Sequence, residues 1–221
     1  MALEKTFALD RVLIALEGHG REDIGVDIDT NRTVGWFTSV YPVLLNNAYP
    51  GDRARQIKEV KEMLRQIPHK GIGYGILQYL TPEAHKKELN FNLKPQVSFN
   101  YLGRFDADIK QLSSFEVSQE TVGNTQSLTD QVEYVLDITG MVTGNRLRMT
   151  ILYNENHFKR ETISGLSHHY EAALQDLISF CCSRERTEPT PGDFTYKRLA
   201  IESIDRIMQR YPNAVDIYIL T

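Results

Sequence analysis

Hydrophobic and polar positions along the 221 residues follow two rhythms, and these assign most of the elements. Phe7–Leu16 (FALDRVLIAL) is a short apolar run with the length of a buried strand, stopped by Gly18 and Gly20. The polar stretch 21–32 predicts a loop. Val34–Leu45 is aromatic and β-branched and predicts a strand whose ladder Pro42 limits. Its Trp36, the only tryptophan, is expected to be buried in the core. The rhythm then changes. Ile57, Val60, Leu64 and Ile67 recur at helical spacing with charges between them, which predicts an amphipathic helix over Asp52–Ile67, closed by Pro68. A short helix is expected over Ile76–Leu80, and another from Thr81-Pro82-Glu83 to about Leu89, because proline suits the first helical turn.

Gln96–Leu102 predicts a strand, and Phe105–Thr129 is polar and irregular, with a short strand expected near Phe115–Val117. Val132–Val142 and Arg146–Tyr153 flank Thr143-Gly144-Asn145, the clearest hairpin signal in the chain. Leu147, Met149, Ile151 and Tyr153 alternate with Arg148 and Thr150, so one face of the second strand is buried. Lys159–Cys182 predicts a long helix with Ile163, Leu166, Tyr170, Leu174, Leu177 and Ile178 inward. Residues 183–197 are charged and rich in proline, a linker by composition. Leu199–Tyr211 predicts a second amphipathic helix, and the tail VDIYILT is strand-like. Strands interspersed with helices over one core predict an α/β fold, with a largely antiparallel or mixed sheet and helices packed on one face.

Composition narrows the classes of partner. A hydrophobic content of 41% suffices for one sizeable core, and a net charge of −4 argues against a nucleic-acid or membrane surface. No apolar run approaches the ~20 residues that span a bilayer. The opening MALEKTFALD lacks the apolar core of a signal peptide. Cys181 and Cys182 are adjacent, which suits neither a disulfide framework nor a metal site, and fits a reducing compartment. A soluble, cytoplasmic protein is expected.

Four clusters carry candidate chemistry. Glu17-Gly18-His19-Gly20-Arg21-Glu22 gathers a carboxylate, an imidazole and a guanidinium at a strand end, where glycines let backbone approach a ligand. Arg32–Thr38 holds the tryptophan. Pro68–Gly75 (PHKGIGYG) is glycine-rich before a helix, but lacks the spacing and the lysine of nucleotide loops. Phe99–Arg104 (FNYLGR) sets the amide of Asn100 beside the hydroxyl of Tyr101, on side chains that face opposite ways along one strand. The tandem His168-His169 lies mid-helix with no helpful carboxylate and is expected to be exposed helix surface.

In this order the clusters EGHGRE (17–22), RTVGWFTSVYP (32–42), PHKGIGYG (68–75) and FNYLGR (99–104) resemble the motifs of nonribosomal peptide synthetase epimerization domains. The resemblance covers about residues 7–182. It implies a chloramphenicol-acetyltransferase-like lobe over 1–183, the C-terminal half of a two-lobed domain. Residues 184–221 would be a linker and the start of a following condensation domain or docking segment. The signature HHxxxDG belongs to the N-terminal lobe of that family. After His168-His169 its Asp and Gly positions hold Ala172 and Ala173, so this pair does not match it.

The implied activity is inversion at the Cα of an aminoacyl or peptidyl thioester, held on the phosphopantetheine of a neighbouring peptidyl carrier protein, with no cofactor or metal of the enzyme's own. Glu17 matches the family's catalytic glutamate, and Arg21, Asn100 and Tyr101 match positions linked to activity. Arg21 would orient Glu17 or hold a carbonyl. Asn100 and Tyr101 would donate to the enolate or position the thioester. Glu17 and Tyr101 are expected to project into one cavity on an open face, where a partner lobe bearing HHxxxDG sits. The isolated chain is then expected to be inactive. A condensation-domain fragment and a non-catalytic carrier-docking module are the alternatives.

Overall fold

In the computed structural model, which describes residues 1–22, 29–30, 32–87, 89–104, 120, 123, 133–186, 188–194 and 200–210, the first apolar run is divided. Helix α1 takes Ala2–Phe7 and strand β1 takes Arg11–Gly18. Ala8 closes the helix with a left-handed φ of 55°, so the strand begins at Arg11 rather than Phe7. Strand β2 spans Ser39–Asn46, shorter than the aromatic run. Its first residue pairs with Gly18, the last residue of β1, so nothing on β1 remains to pair with residues 34–38. Trp36 is accordingly 90% exposed, which corrects the expectation of a buried indole.

Helix α2 spans Arg53–Gln66. The Asp52 carboxylate accepts from the Arg55 backbone N–H at 2.9 Å and caps the first turn. Replacing Asp52 by Ala should cost about 1 kcal/mol, read as a lower denaturant midpoint with an unchanged slope. The apolar stripe of α2 is not its buried face: Val60 and Leu64 are exposed, whereas Lys58 and Glu62 are buried. Ion pairs and backbone hydrogen bonds explain the inversion. Lys58 Nζ meets Asp205 at 2.5 Å and Glu188 at 2.9 Å. The Glu62 carboxylate accepts from the Gly192 N–H at 3.0 Å through both oxygens.

Helix α3 spans Ile72–Gly75 and runs on as a wider π turn over Ile76–Leu80. The helix expected from Pro82 to Leu89 is only a 3-10 turn over Glu83–His85. Leu89 is exposed, so little apolar burial is on offer to hold a longer helix. Strands β3 (Val97–Arg104), β4 (Leu136–Thr143) and β5 (Arg146–Tyr153) complete the sheet. Gly144 and Asn145 form the β4–β5 turn with φ of 55° and 57°, the pair of positive values that a type I′ hairpin requires. Helix α4 runs over Arg160–Cys182 with Ile163, Leu166 and Ala173 buried, but Ile178 is exposed beside the exposed Cys181 and Cys182. Helix α5 spans Ile201–Arg210. The strand expected near 115–117 and the strand-like tail lie outside the described residues.

The five strands are ordered β2-β1-β3-β4-β5. The outer pairs β1–β2 and β4–β5 are antiparallel, while β1–β3 and β3–β4 are parallel, so the sheet is mixed. Register divides its faces. Ile14, Val97 and Leu136 stand in line across three strands and are buried, with Tyr41, Val43 and Ile138 on the same apolar face. The opposite face carries Ala15, Ser98 and Asp137 in line, then Glu17, Asn100 and Thr139. Toward the sheet's edges that face is open: Val40, Leu44 and Leu152 on it are all exposed. The strands, α1, α3 and α4 up to Ala172 belong to one compact unit. Residues 47–67, with α2, and the chain from Ala173 on form a second.

Within the second unit the proline-rich stretch is held by side chains. Thr190 is buried, and Pro191–Asp193 form a 3-10 turn. The Asp193 carboxylate accepts from Lys61 at 2.6 Å, Arg65 at 2.7 Å and the Thr190 N–H at 2.7 Å. Burial opposes its charge, but the hydrogen bonds from Lys61, Thr190 and Arg65 outweigh burial and hold the carboxyl well below the usual range. A carboxyl depressed by folding contributes stability above its unfolded pKa of about 3.9 and loses it as pH falls further. The amide protection of Thr190, Gly192 and Asp193, corrected for intrinsic exchange, should therefore fall below about pH 4, and the Asp193→Asn variant should lack that dependence.

Candidate active site

Three of the four clusters reach the same end of the sheet because of how their strands run. Glu17 lies near the C-terminal end of β1, and FNYLGR occupies the C-terminal end of β3, parallel to β1. β2 runs the other way, so RTVGWFTSVYP enters it at that end. The fourth cluster is tied in by charge: Lys70 Nζ meets the Glu22 carboxylate at 2.9 Å, and His19 Nε2 meets the same group at 3.0 Å. His69 and Lys70 hold left-handed φ of 45° and 49°, a conformation costing non-glycine residues of order 1 kcal/mol each. Nearby, burial and then the charge of Glu22 push the Tyr41 hydroxyl above its usual pKa.

Glu17 and Asn100 stand on one face and are joined directly. The Asn100 amide donates to Glu17 Oε2 at 2.7 Å, fixing the rotamer of the carboxylate. Glu17 is half-buried, and its pKa is raised, first by burial and then by the negative charge of Asp137. Asp137 accepts from the Ser98 hydroxyl at 2.6 Å across the β3–β4 pair, and Ser98 is 1% exposed. Tyr134 belongs to the same group: burial, Glu133, Glu17 and Asp137 together push its hydroxyl up to about 12. Asp137 and Ser98 were absent from the residues singled out by motif. Their signal is a lone carboxylate in LDITG, one strand position from apolar neighbours and in register with a serine, visible only once β3 and β4 are paired.

Tyr101 does not join this pair. It follows Asn100 on the same strand, is in register with Gly140, and its ring lies against Gly140 on the face of Met149. It is 53% exposed there. The expectation that Glu17 and Tyr101 share a cavity is therefore corrected. The strand alternation that separates Asn100 from Tyr101 gives the Glu17 side of the sheet to Asn100.

Arg21 also lies apart from Glu17. Its guanidinium donates to the Thr30 carbonyl, donates to the Thr33 carbonyl at 2.8 Å and stacks 4.1 Å from the Phe37 ring centre. It therefore braces the segment leading into β2. His168 is exposed and its ring bonds the Ser164 carbonyl at 2.7 Å, whereas His169 is half-buried, 2.9 Å from Thr6 Oγ1. Among the described residues no three His, Cys, Asp or Glu side chains gather as a metal site, and no helix is long and apolar enough to cross a membrane.

Gramicidin S synthase 1 of Brevibacillus brevis is 44% identical over 214 residues, which cover 93% of this chain and 19% of that protein. Surfactin synthase subunit 1 of Bacillus subtilis (strain 168) is 38% identical over 209 residues, 95% of this chain and 6% of that protein. The chain thus spans a fifth or less of these relatives. The crystal structure of the epimerization domain from the third module of tyrocidine synthetase B matches with a TM-score of 0.76 at 39% identity, covering 83% of this chain and 40% of that one. The condensation domain of the Monacolin K polyketide synthase matches with a TM-score of 0.51 at 14% identity, covering 82% and 39%, a likeness of fold alone. The family model for the Condensation domain matches residues 1–200, and with relatives of this identity over nearly the whole chain, the chain belongs to the condensation-domain family of nonribosomal peptide synthetases.

Proposed function

We propose that the chain supplies one wall of an epimerase site that inverts the Cα of an aminoacyl or peptidyl thioester. The substrate is held on the phosphopantetheine of a peptidyl carrier protein. The observation that carries this reading is the hydrogen-bonded, half-buried Glu17–Asn100 pair on one face of the sheet. It is supported by the 39% identity to an epimerization domain. The opposite wall comes from an N-terminal lobe with HHxxxDG, residues 1–183 forming the C-terminal lobe and 184–221 a linker with the start of a following condensation domain or a docking segment.

A Cα proton beside a thioester is weakly acidic, so its removal needs a placed base and stabilisation of the enolate oxygen. A base in position contributes ~10²–10⁴-fold, and a donor aimed at the developing oxyanion about 3–4 kcal/mol. Glu17 is the base of this wall. A carboxyl whose pKa is raised holds its abstracted proton more readily and can return it, which a two-sided inversion demands of each wall. Asn100 aims the carboxylate. The chemistry asks for no metal and no cofactor beyond the carrier's arm.

The breadth of the family match favours one further reading, peptide-bond formation. The two separate in heavy water. The intact module, given carrier-loaded substrate, incorporates deuterium at Cα and yields both configurations if it epimerizes. An amide product without deuterium at Cα identifies condensation and ends the epimerase reading. Neither product identifies a docking role.

A further inference from the structure

The strand register brings a second carboxylate to the face that carries Glu17. Ser98 sits between Ala15 on β1 and Asp137 on β4, and Glu17 and Asn100 lie two positions farther along the same face. Ser98 is almost wholly buried, and its hydroxyl binds Asp137 at 2.6 Å, so this carboxylate is held in place. Nothing in the epimerase reading uses Asp137. We propose that Asp137, clamped by Ser98 on the face that carries the Glu17–Asn100 pair, is a positioning residue that acts through Glu17. Its relevance to catalysis rests on the reading of Glu17 as a base.

The groups around Glu17 make this assignment specific. On β2 its register partner is Val40, which carries no charge. On β3 its partner is the neutral amide of Asn100. From β4 and its lead-in come Asp137 and Tyr134, with Glu133 beside Tyr134. Asp137 is the group whose charge raises the pKa of Glu17, after burial itself. A like charge on the same face disfavours ionisation of Glu17, and the buried Ser98 holds that charge in place.

The first test needs no activity. The side-chain carboxyl of Glu17 is followed by carbon-13 NMR through a pH titration of this chain and of Asp137→Asn. The variant removes the charge and leaves an oxygen for Ser98. Its Glu17 midpoint should fall, because the like charge that raises it is gone. Asp137→Ser, a smaller neutral residue on a strand that already carries Thr139, should give the same shift, and Asp137→Glu should restore the parent value. An unmoved midpoint in a folded neutral variant overturns the proposal. So does loss of folding in both neutral variants, because Asp137 would then serve the sheet rather than Glu17. The second test measures Cα exchange in the intact module against pH: the acid limb of Asp137→Asn should move down with the midpoint. If the midpoint moves and Glu17→Gln still exchanges at the parent rate, the epimerase reading has failed while the coupling between the two carboxylates stands.

Discussion

Glu17→Gln in the intact module is expected to lower Cα exchange by ~10²–10⁴-fold, the range lost with a positioned general base. The substitution is nearly isosteric. The new amide oxygen can still accept from Asn100 at the position where Glu17 Oε2 does so at 2.7 Å, so the geometry of the wall persists while its basicity is gone. Stability should move the other way. A carboxyl whose folded pKa is raised is destabilising once it ionises, at pH above its unfolded value of about 4.3. Burial and Asp137 raise this one, so Glu17→Gln should melt no lower than the parent at neutral pH. The same direction puts the acid limb of the exchange profile above the ordinary glutamate range. Exchange within a few-fold of the parent would remove Glu17 from the mechanism, whatever the fold does.

Gly20→Ala should destabilise the first unit by about 3 kcal/mol or more, on the order of a 10 °C lower melting temperature. Gly20 has φ 66°, which alone costs an alanine about 1–2 kcal/mol. The larger penalty is steric. A Cβ there would lie 1.5 Å from the Phe37 carbonyl oxygen and 2.5 Å from its carbon, and backbone cannot rotate aside as a side chain can. The turn after β1 and the segment entering β2 must separate, which also disturbs the Phe37 ring on which Arg21 stacks. Gly103→Ala is the matched control: φ is 72°, but nothing lies within 4 Å of the added carbon. It should show the conformational cost alone. Equal melting temperatures for the two variants would refute the close packing of Gly20 on Phe37.

The elements legible in the chain are those whose cues are local. The Gly144-Asn145 turn, the amphipathic helix ahead of Pro68 and the long helix ending at Cys182 each announce themselves within a few residues, and each is found where expected. What failed depends on partners distant in sequence. Trp36 looks like core because it is aromatic and flanked by β-branched residues, but Ser39 is where β2 meets the end of β1. Lys58 and Glu62 look like solvent-facing charges until Glu188, Gly192 and Asp205 arrive. The pairing of Glu17 with Asn100 rather than Tyr101 is likewise set by a parallel register between residues 83 apart. Three of the motif segments meet at one end of the sheet. The face each side chain takes is a property of the paired strands.

β2 and β5, the outermost strands among the described residues, are each ill-suited to recruit another chain. The register of β2 with β1 runs unbroken through Pro42, so the N–H this residue lacks is withheld from the outer rim and not from the ladder. β5 begins with Arg146 and Arg148, both exposed, so stacking a second copy along this rim would bring like charges together. A sheet whose proposed functional face opens toward its edges is in this way guarded against growing sideways into aggregates.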